Sequence, residues 1–216
     1  MAGFLGIGRM KILSPVEGYD RWASSYLQET NPIKKLSDEM VEQMLPSLDG
    51  KSVLDAGCGP GKFCVYASNQ NARAVSGIDS SAKMVEEARK ACPSAIFTAG
   101  DLLTVSLPPA SYDVVICALV LGHIQKLTPV LEKLIDTLDE RGTMIITDFH
   151  PFLTLMQAKR TFRDPVSGKH FEVRHYLHLF EEYFAAFISR GLSIEQWAEP
   201  QFNNTPVVFG VRVRKQ

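Results

Sequence analysis

Residues 53–61 read Val-Leu-Asp-Ala-Gly-Cys-Gly-Pro-Gly, with glycines at the alternate positions Gly57, Gly59 and Gly61 behind an acid, Asp55. Backbone without side chains can take a positive φ or come close to a bound molecule. Placed after a strand, such a loop lets a small ligand lie on main-chain N–H groups at the carboxyl edge of a sheet, where open α/β proteins bind ligands. The spacing G-x-G-x-G departs from the dinucleotide pattern G-x-G-x-x-G, whose sixth position is here Lys62. A phosphate-binding P-loop fails as well, because Ala56 and Phe63 stand where it needs Gly and Ser or Thr. A second acid, Asp79, closes an apolar run downstream. A carboxylate there can accept hydrogen bonds from both hydroxyls of a ribose.

Histidines make the second constellation. His123 follows an apolar run, and an imidazole with an ordinary pKa of about 6.5 can take a proton at neutral pH. The alternative is a structural histidine bonded to a backbone carbonyl. His150-Pro151 ends another run, and His175, Tyr176 and His178 follow a turn-rich stretch. These four histidines and Tyr176 are the candidate catalytic residues, and any pair could form a base or bind a substrate carboxylate or phenolate. His175-x-x-His178 lacks a third ligand, so no metal is expected. Phe152, Leu155, Met156, Phe162 and Phe171 lend this segment an apolar character. They either roof a site for an aromatic, acyl or prenyl-like substrate or form a small core of their own.

Elements must hold these groups, and the chain alternates strand and helix signals. Helix 37–45 is expected with Ser37 as its N-cap. Strand 51–56 leads through the glycine loop into helix 60–69, with Pro60 in its first turn. Strand 74–79 precedes helix 82–91, capped by Ser80 or Ser81. Strands 95–99 and 112–118 follow, the latter a Val-Val-Ile run suited to burial on both faces. Leu127, Val130, Leu131, Leu134, Ile135 and Leu138 recur at helical spacing, closed by Arg141-Gly142, and strand 143–149 comes next. A β-hairpin is read over 159–175, a helix over 178–190, and two strands over 192–199 and 206–214.

The pattern Asp-x-Gly-x-Gly-x-Gly on strand 51–56, followed by a helix and then by Asp79, resembles motif I of the class I S-adenosylmethionine (SAM)-dependent methyltransferases. The resemblance spans roughly residues 15–214. The stretch Cys117-Ala118-Leu119-Val120-Leu121-Gly122-His123-Ile124 is similar to the small-molecule branch, the methyltransferase type 11 group that includes ubiquinone/menaquinone C-methyltransferases. It implies a Rossmann-like α/β sandwich: a seven-stranded, mostly parallel sheet whose last strand runs antiparallel, plus a hairpin insertion after strand 5. It also implies SAM as cofactor and S-adenosylhomocysteine (SAH) as product. Asp79, with Ser80 beside it, would then hold the ribose. Asp101, in Ala-Gly-Asp-Leu after Gly100, would accept from the adenine amino group, with Leu102 and Met84 against the ring. Asp55 and Ala56, with Gly57, Cys58, Gly59 and Gly61, would form the loop; Cys58, Ala118 and Val120 would line the methionine portion. Residues 17–26, Glu-Gly-Tyr-Asp-Arg-Trp-Ala-Ser-Ser-Tyr, match a family segment whose helix closes over the cofactor, with Tyr19 and Tyr26 at the methionine end. A plain apolar helix face serves those aromatics equally well.

The resemblance therefore implies methyl transfer to an oxygen, carbon or nitrogen of a small apolar or aromatic molecule. An RNA- or protein-directed methyltransferase and a non-catalytic SAM-binding subunit are the alternatives. The 216-residue chain fits one domain, 37–216 with a hairpin lid at about 151–178, behind an N-terminal extension of 1–36 that carries the closing helix. A net charge of −1 without basic clusters speaks against DNA as partner. Four cysteines without a C-x-x-C pair suit reduced thiols in a cytoplasmic protein, and a monomer or homodimer is expected. No apolar run is long enough for a membrane span. Residues 1–8 are expected to be a disordered end or a flap over the site, not a signal.

Overall fold

The computed structural model describes residues 10–29 and 31–216; the expected flap of residues 1–8 lies outside them. A two-residue strand, β1 (Ile12–Leu13), precedes helix α1 (Pro15–Trp22). Ser14 caps α1 in a reciprocal box with Glu17, and Pro15 supplies the preset φ of its first turn. Helix α2 (Pro32–Met44) starts five residues before the expected site. Its N-cap is Asn31, whose side chain accepts from the N–H groups of Ile33 and Lys34. Asn31-Pro32 outcompetes Ser37 because both cap positions are satisfied there. Ser37 instead lies mid-helix, and the expected boundary between residues 36 and 37 falls inside α2.

Strand β2 (Ser52–Ala56) is buried along its whole length and ends in the glycine loop. Helix α3 (Lys62–Asn69) begins only after Gly61, which caps it at φ +87°, so Pro60 belongs to the turn and not to the helix. β3 (Ala74–Asp79) leads to α4 (Ala82–Ala91), capped by Ser81, and β4 (Ile96–Ala99) and β5 (Tyr112–Ala118) follow. Helix α5 (Leu127–Thr137) passes directly into the long β6 (Leu138–Phe149). Arg141-Gly142 therefore does not close the helix. Arg141, at φ +63°, sits in the stretch of β6 where the pairing with β5 shifts register.

A short α6 (Pro151–Leu155) precedes the hairpin of β7 (Thr161–Arg163) and β8 (His170–Val173). β8 also pairs in parallel with β1, a partner too short to read from pattern. Helix α7 (Phe180–Ser189), β9 (Leu192–Ala198), the small β10 (Gln201–Phe202) and β11 (Thr205–Pro206), and β12 (Val208–Lys215) complete the described chain.

The main sheet has seven strands in the order β4-β3-β2-β5-β6-β12-β9. β12 is antiparallel to both neighbours and inserts between β6 and β9, as the resemblance implied. Helices α5 and α7 cover one face, and α2, α3 and α4 the other. Burial on both faces explains the continuous apolar runs of β5 and β6. One polar pair interrupts the layer between α2 and β6: the Ser37 hydroxyl lies 2.7 Å from that of Thr147, both fully buried. The order of β2, β3 and β5 puts the loops after them on one edge of the sheet, with α1 and the hairpin above.

Candidate functional site

Three local conformations build the loop after β2. The N–H groups of Gly57 and Cys58 both donate to the Ile78 carbonyl, at 2.7 and 2.9 Å, which ties the loop to β3. Gly57 takes φ +82°, and a Cβ there would run into the Val120 methyls. At Gly61 a Cβ would meet Ala88 of α4 at 3.1 Å, so glycine allows the close packing of loop on helix. Gly59 faces open space, with its N–H bonded to Asp79 Oδ2 at 2.8 Å. Asp79 Oδ1 accepts from Ser81 N at 2.8 Å. Burial raises the Asp79 pKa, and the Ser81 and Gly59 N–H groups oppose that rise.

A cavity of about 270 Å³ opens above this loop. Thirteen of the expected residues line it: Tyr19, Tyr26, Gly57, Gly59, Asp79, Ser80, Met84, Gly100, Asp101, Leu102, Ala118, Val120 and His123. Asp101 Oδ1 accepts from Leu103 N at 2.8 Å. Asp55 and Cys58 line a small cleft on the other side of the loop, while Ala56 is wholly buried in the sheet and Gly61 lies against α4. Burial pushes the Asp55 carboxyl up to about 7, against a weak bond from the Cys64 thiol at 3.7 Å. Pro15, Val16, Leu103, Leu119, Ile124 and Gln125 also line the large cavity, beyond the expected set. Leu103, Leu119, Ile124 and Gln125 adjoin expected residues, and that adjacency was the available signal.

α1 spans the site. Asp20 Oδ1 accepts from the Ser81 hydroxyl at 2.6 Å and from Lys83 N at 3.3 Å, anchoring α1 at the N-terminus of α4. At its other side Gly18 lets α1 approach β8: a Cβ would lie 2.9 Å from Val173 Cγ2. Trp22 stacks on Phe162 at 5.0 Å and Tyr19 on Trp22 at 5.8 Å.

Of the four histidines only His123 lines the large cavity, although residues 174–178 run along 122–124. His123 Nδ1 lies 2.7 Å from the Arg174 carbonyl, which can only accept, so that nitrogen carries the proton. Its Nε2 therefore accepts from the Tyr19 hydroxyl at 2.9 Å. Burial, with the Arg160 charge, lowers the His123 pKa to about 3. Burial also holds the Tyr19 phenol protonated far above the ordinary range. His123 thus has both nitrogens engaged, in the arrangement of the alternative reading, a structural histidine bonded to a backbone carbonyl.

His150 caps α6: its Nδ1 accepts from Phe152 N at 3.1 Å and its Nε2 lies 3.0 Å from Glu199. His178 Nε2 donates to the Ile124 carbonyl at 2.7 Å and is buried. Tyr176 N donates to the Gly122 carbonyl at 2.7 Å. Tyr176 and His178 flank a narrow cleft of about 10 Å³. None of His150, His175, Tyr176 and His178 lines the large cavity. Backbone groups of a helix start and a loop took the side chains of His150 and His178 as local partners. Phe162 and Phe171 pack with Leu13 and Val173 in a core of the hairpin itself, while Phe152, Leu155 and Met156 are exposed, so these residues form no common roof.

A second chamber of about 210 Å³ adjoins the first through Tyr19, Tyr26 and Leu119. Trp22, Phe149, Lys34 and Arg160 are among its walls, and sequence pattern alone had not singled it out. Among the described residues no helix is long and apolar enough to cross a membrane.

Residues 53–142 match a family model described as "Methyltransferase domain". A malonyl-[acyl-carrier protein] O-methyltransferase of Enterobacter lignolyticus is 29% identical over 125 residues, 58% of this chain and 49% of that protein. A trans-aconitate 2-methyltransferase of Rhizobium etli is 30% identical over 120 residues, 55% of this chain and 44% of that protein. The chain spans about half the length of the curated relatives it matches. Among solved structures, the N-methyltransferase NodS of Bradyrhizobium japonicum in complex with SAH superposes with a TM-score of 0.74 at 13% identity, covering 94% of this chain and 99% of that one.

Proposed function

We propose, from the premise that this chain has the fold and the matching domain of the class I SAM-dependent methyltransferases, that it binds SAM and methylates a small organic acceptor. One observation carries the reading. A single cavity joins the glycine loop, the Asp79 carboxylate and the Gly100–Leu102 turn, in the order that methionine, ribose and adenine require. The residues fit the ligand: Gly57 and Gly59 present bare main chain to the cavity, and a Cβ at Gly57 would strike Val120 on its wall.

SAM supplies a methyl group activated on a sulfonium. The protein then contributes alignment and exclusion of water, and alignment can supply several kcal/mol. Asp79 accepts from the ribose hydroxyls, and the free oxygen of Asp101 from the adenine amino group. Met84 and Leu102, both buried, offer apolar faces to the ring. Tyr19 donates to His123, so its ring is fixed between the two chambers, at the point where cofactor and acceptor meet. In this role Tyr19 and His123 position the reactants and move no proton. The hairpin β7–β8 and α1 together close the acceptor side. The names of the relatives, which include enzymes of malonyl-[acyl-carrier protein] and trans-aconitate, support an acceptor outside nucleic acid.

Thermal denaturation with SAM and SAH tests this, since a ligand bound only by the native state raises its melting temperature. A rise of several degrees with either is expected, and Asp79→Ala should abolish most of it. No rise at millimolar SAM and SAH would refute the proposal.

A further inference from the structure

The second chamber is lined by three cations, Lys34, Lys159 and Arg160, against one acid, Glu29. Lys159 is paired with Glu172 at 3.0 Å, and Lys34 Nζ is 3.0 Å from the Tyr26 carbonyl and also borders the cleft beside the glycine loop. Arg160 is different. Its side chain is only 9% exposed and lies flat over the Phe149 ring at 3.7 Å. Nη2 reaches Asp148 Oδ1 at 3.3 Å and Nη1 reaches His123 Nε2 at 3.4 Å. Asp148 is already held more tightly by backbone, from Gly122 N at 2.6 Å and Phe149 N at 2.7 Å. A guanidinium has five N–H bonds, and among the described residues this one makes only these two long contacts.

Trp22 adds an independent observation. Its ring lines the same chamber, and its Nε1, closed off in this conformation, has no hydrogen-bond partner among the described residues. Buried donors are normally paired, and a small rotation of the indole toward the chamber would give this one a partner there. A planar guanidinium beside a single N–H donor suits the oxygens of a carboxylate. Flanking rings of Tyr19, Trp22 and Phe149 suit an unsaturated or aromatic body.

We propose that the acceptor is a small organic acid whose carboxylate is held in the second chamber by Arg160 and the indole N–H of Trp22. The inference rests on the methyltransferase reading above, because it takes the first chamber to be the cofactor's.

The test is calorimetric titration of the SAH-loaded protein with benzoate, fumarate and octanoate, each beside its neutral amide. At least one acid should bind tenfold or more tightly than its amide. Trp22→Phe should weaken that acid threefold or more. Arg160→Gln should erase the preference while SAH affinity stays within twofold of the wild type. Because Arg160→Gln leaves Asp148 buried without its cation, Asp148→Asn combined with Arg160→Gln carries the same expectation should the single variant fail to fold. Equal binding of every acid and its amide overturns the proposal. So does a preference retained without the guanidinium, or an acid affinity unmoved by Trp22→Phe. Failure of the wild type to bind SAH overturns the methyltransferase reading instead, so the two failures are separable.

Discussion

Gly57→Ala tests the geometry of the loop most directly. The substitution acts twice. First, φ +82° is left-handed backbone, which costs an L-residue about 1–2 kcal/mol. Second, the new Cβ would run into Val120 Cγ2 and lie 2.9 Å from Cγ1 and 3.1 Å from Cβ, an overpacking of about 1–3 kcal/mol. The single variant should therefore lose about 2–5 kcal/mol. Val120→Ala alone removes two methyls from a half-buried side chain and should cost about 1 kcal/mol. In the double variant the two offending methyls are gone, and only the backbone and packing costs remain. The pair should thus be coupled by about 1–3 kcal/mol in favour of the double variant. Urea denaturation followed by circular dichroism measures all four corners of the cycle. A coupling within about 0.5 kcal/mol of zero refutes the steric argument, because the added methyl would then have met something other than Val120.

Asp55 makes stability depend on pH with a definite sign. Its folded pKa is about 7, and an unfolded aspartate titrates near about 3.9, so between these values the folded chain binds more protons. Wild-type stability should then fall as pH rises through that window. Asp55→Asn should gain on the wild type by a few kcal/mol between pH 4 and 8, at about 1.4 kcal/mol per pKa unit; a flat difference in urea midpoints across that range argues against it. Ser37→Ala leaves the Thr147 hydroxyl unpaired and should cost about 1–2 kcal/mol. Adding Thr147→Val should recover part of that loss, and additive losses would show that the two hydroxyls do not form a pair.

The parts of the fold visible in the chain are those with strong local signals. β5 is a Val-Val-Ile run buried on both faces, and α5 carries a full apolar stripe. Boundaries were lost where two signals competed. Ser37 is a good cap in isolation, yet Asn31-Pro32 offers the first turn two satisfied N–H groups and a preset φ. Gly61 at φ +87° delays α3 past Pro60. β1 could not be read at all, because two residues make no pattern and its partner β8 is far along the chain.

The residues of the large cavity were legible because each belongs to a short loop after a strand. Parallel strands align their carboxyl ends, so Gly57, Asp79, Asp101 and Val120 must meet once β2, β3, β4 and β5 lie side by side. The histidines were not legible, since a histidine's partners are chosen by what the fold brings near. His123 found a carbonyl and a tyrosine, His150 a helix start and Glu199, and His178 the carbonyl of Ile124. The chain by itself thus determined where the large cavity opens, through local backbone conformation repeated at adjacent strand ends. Only the tertiary structure decided what lies beside it. The walls of the second chamber come from α1, α2, β6 and the hairpin with the segment before it, and packing alone puts Trp22 and Arg160 on the walls of one chamber.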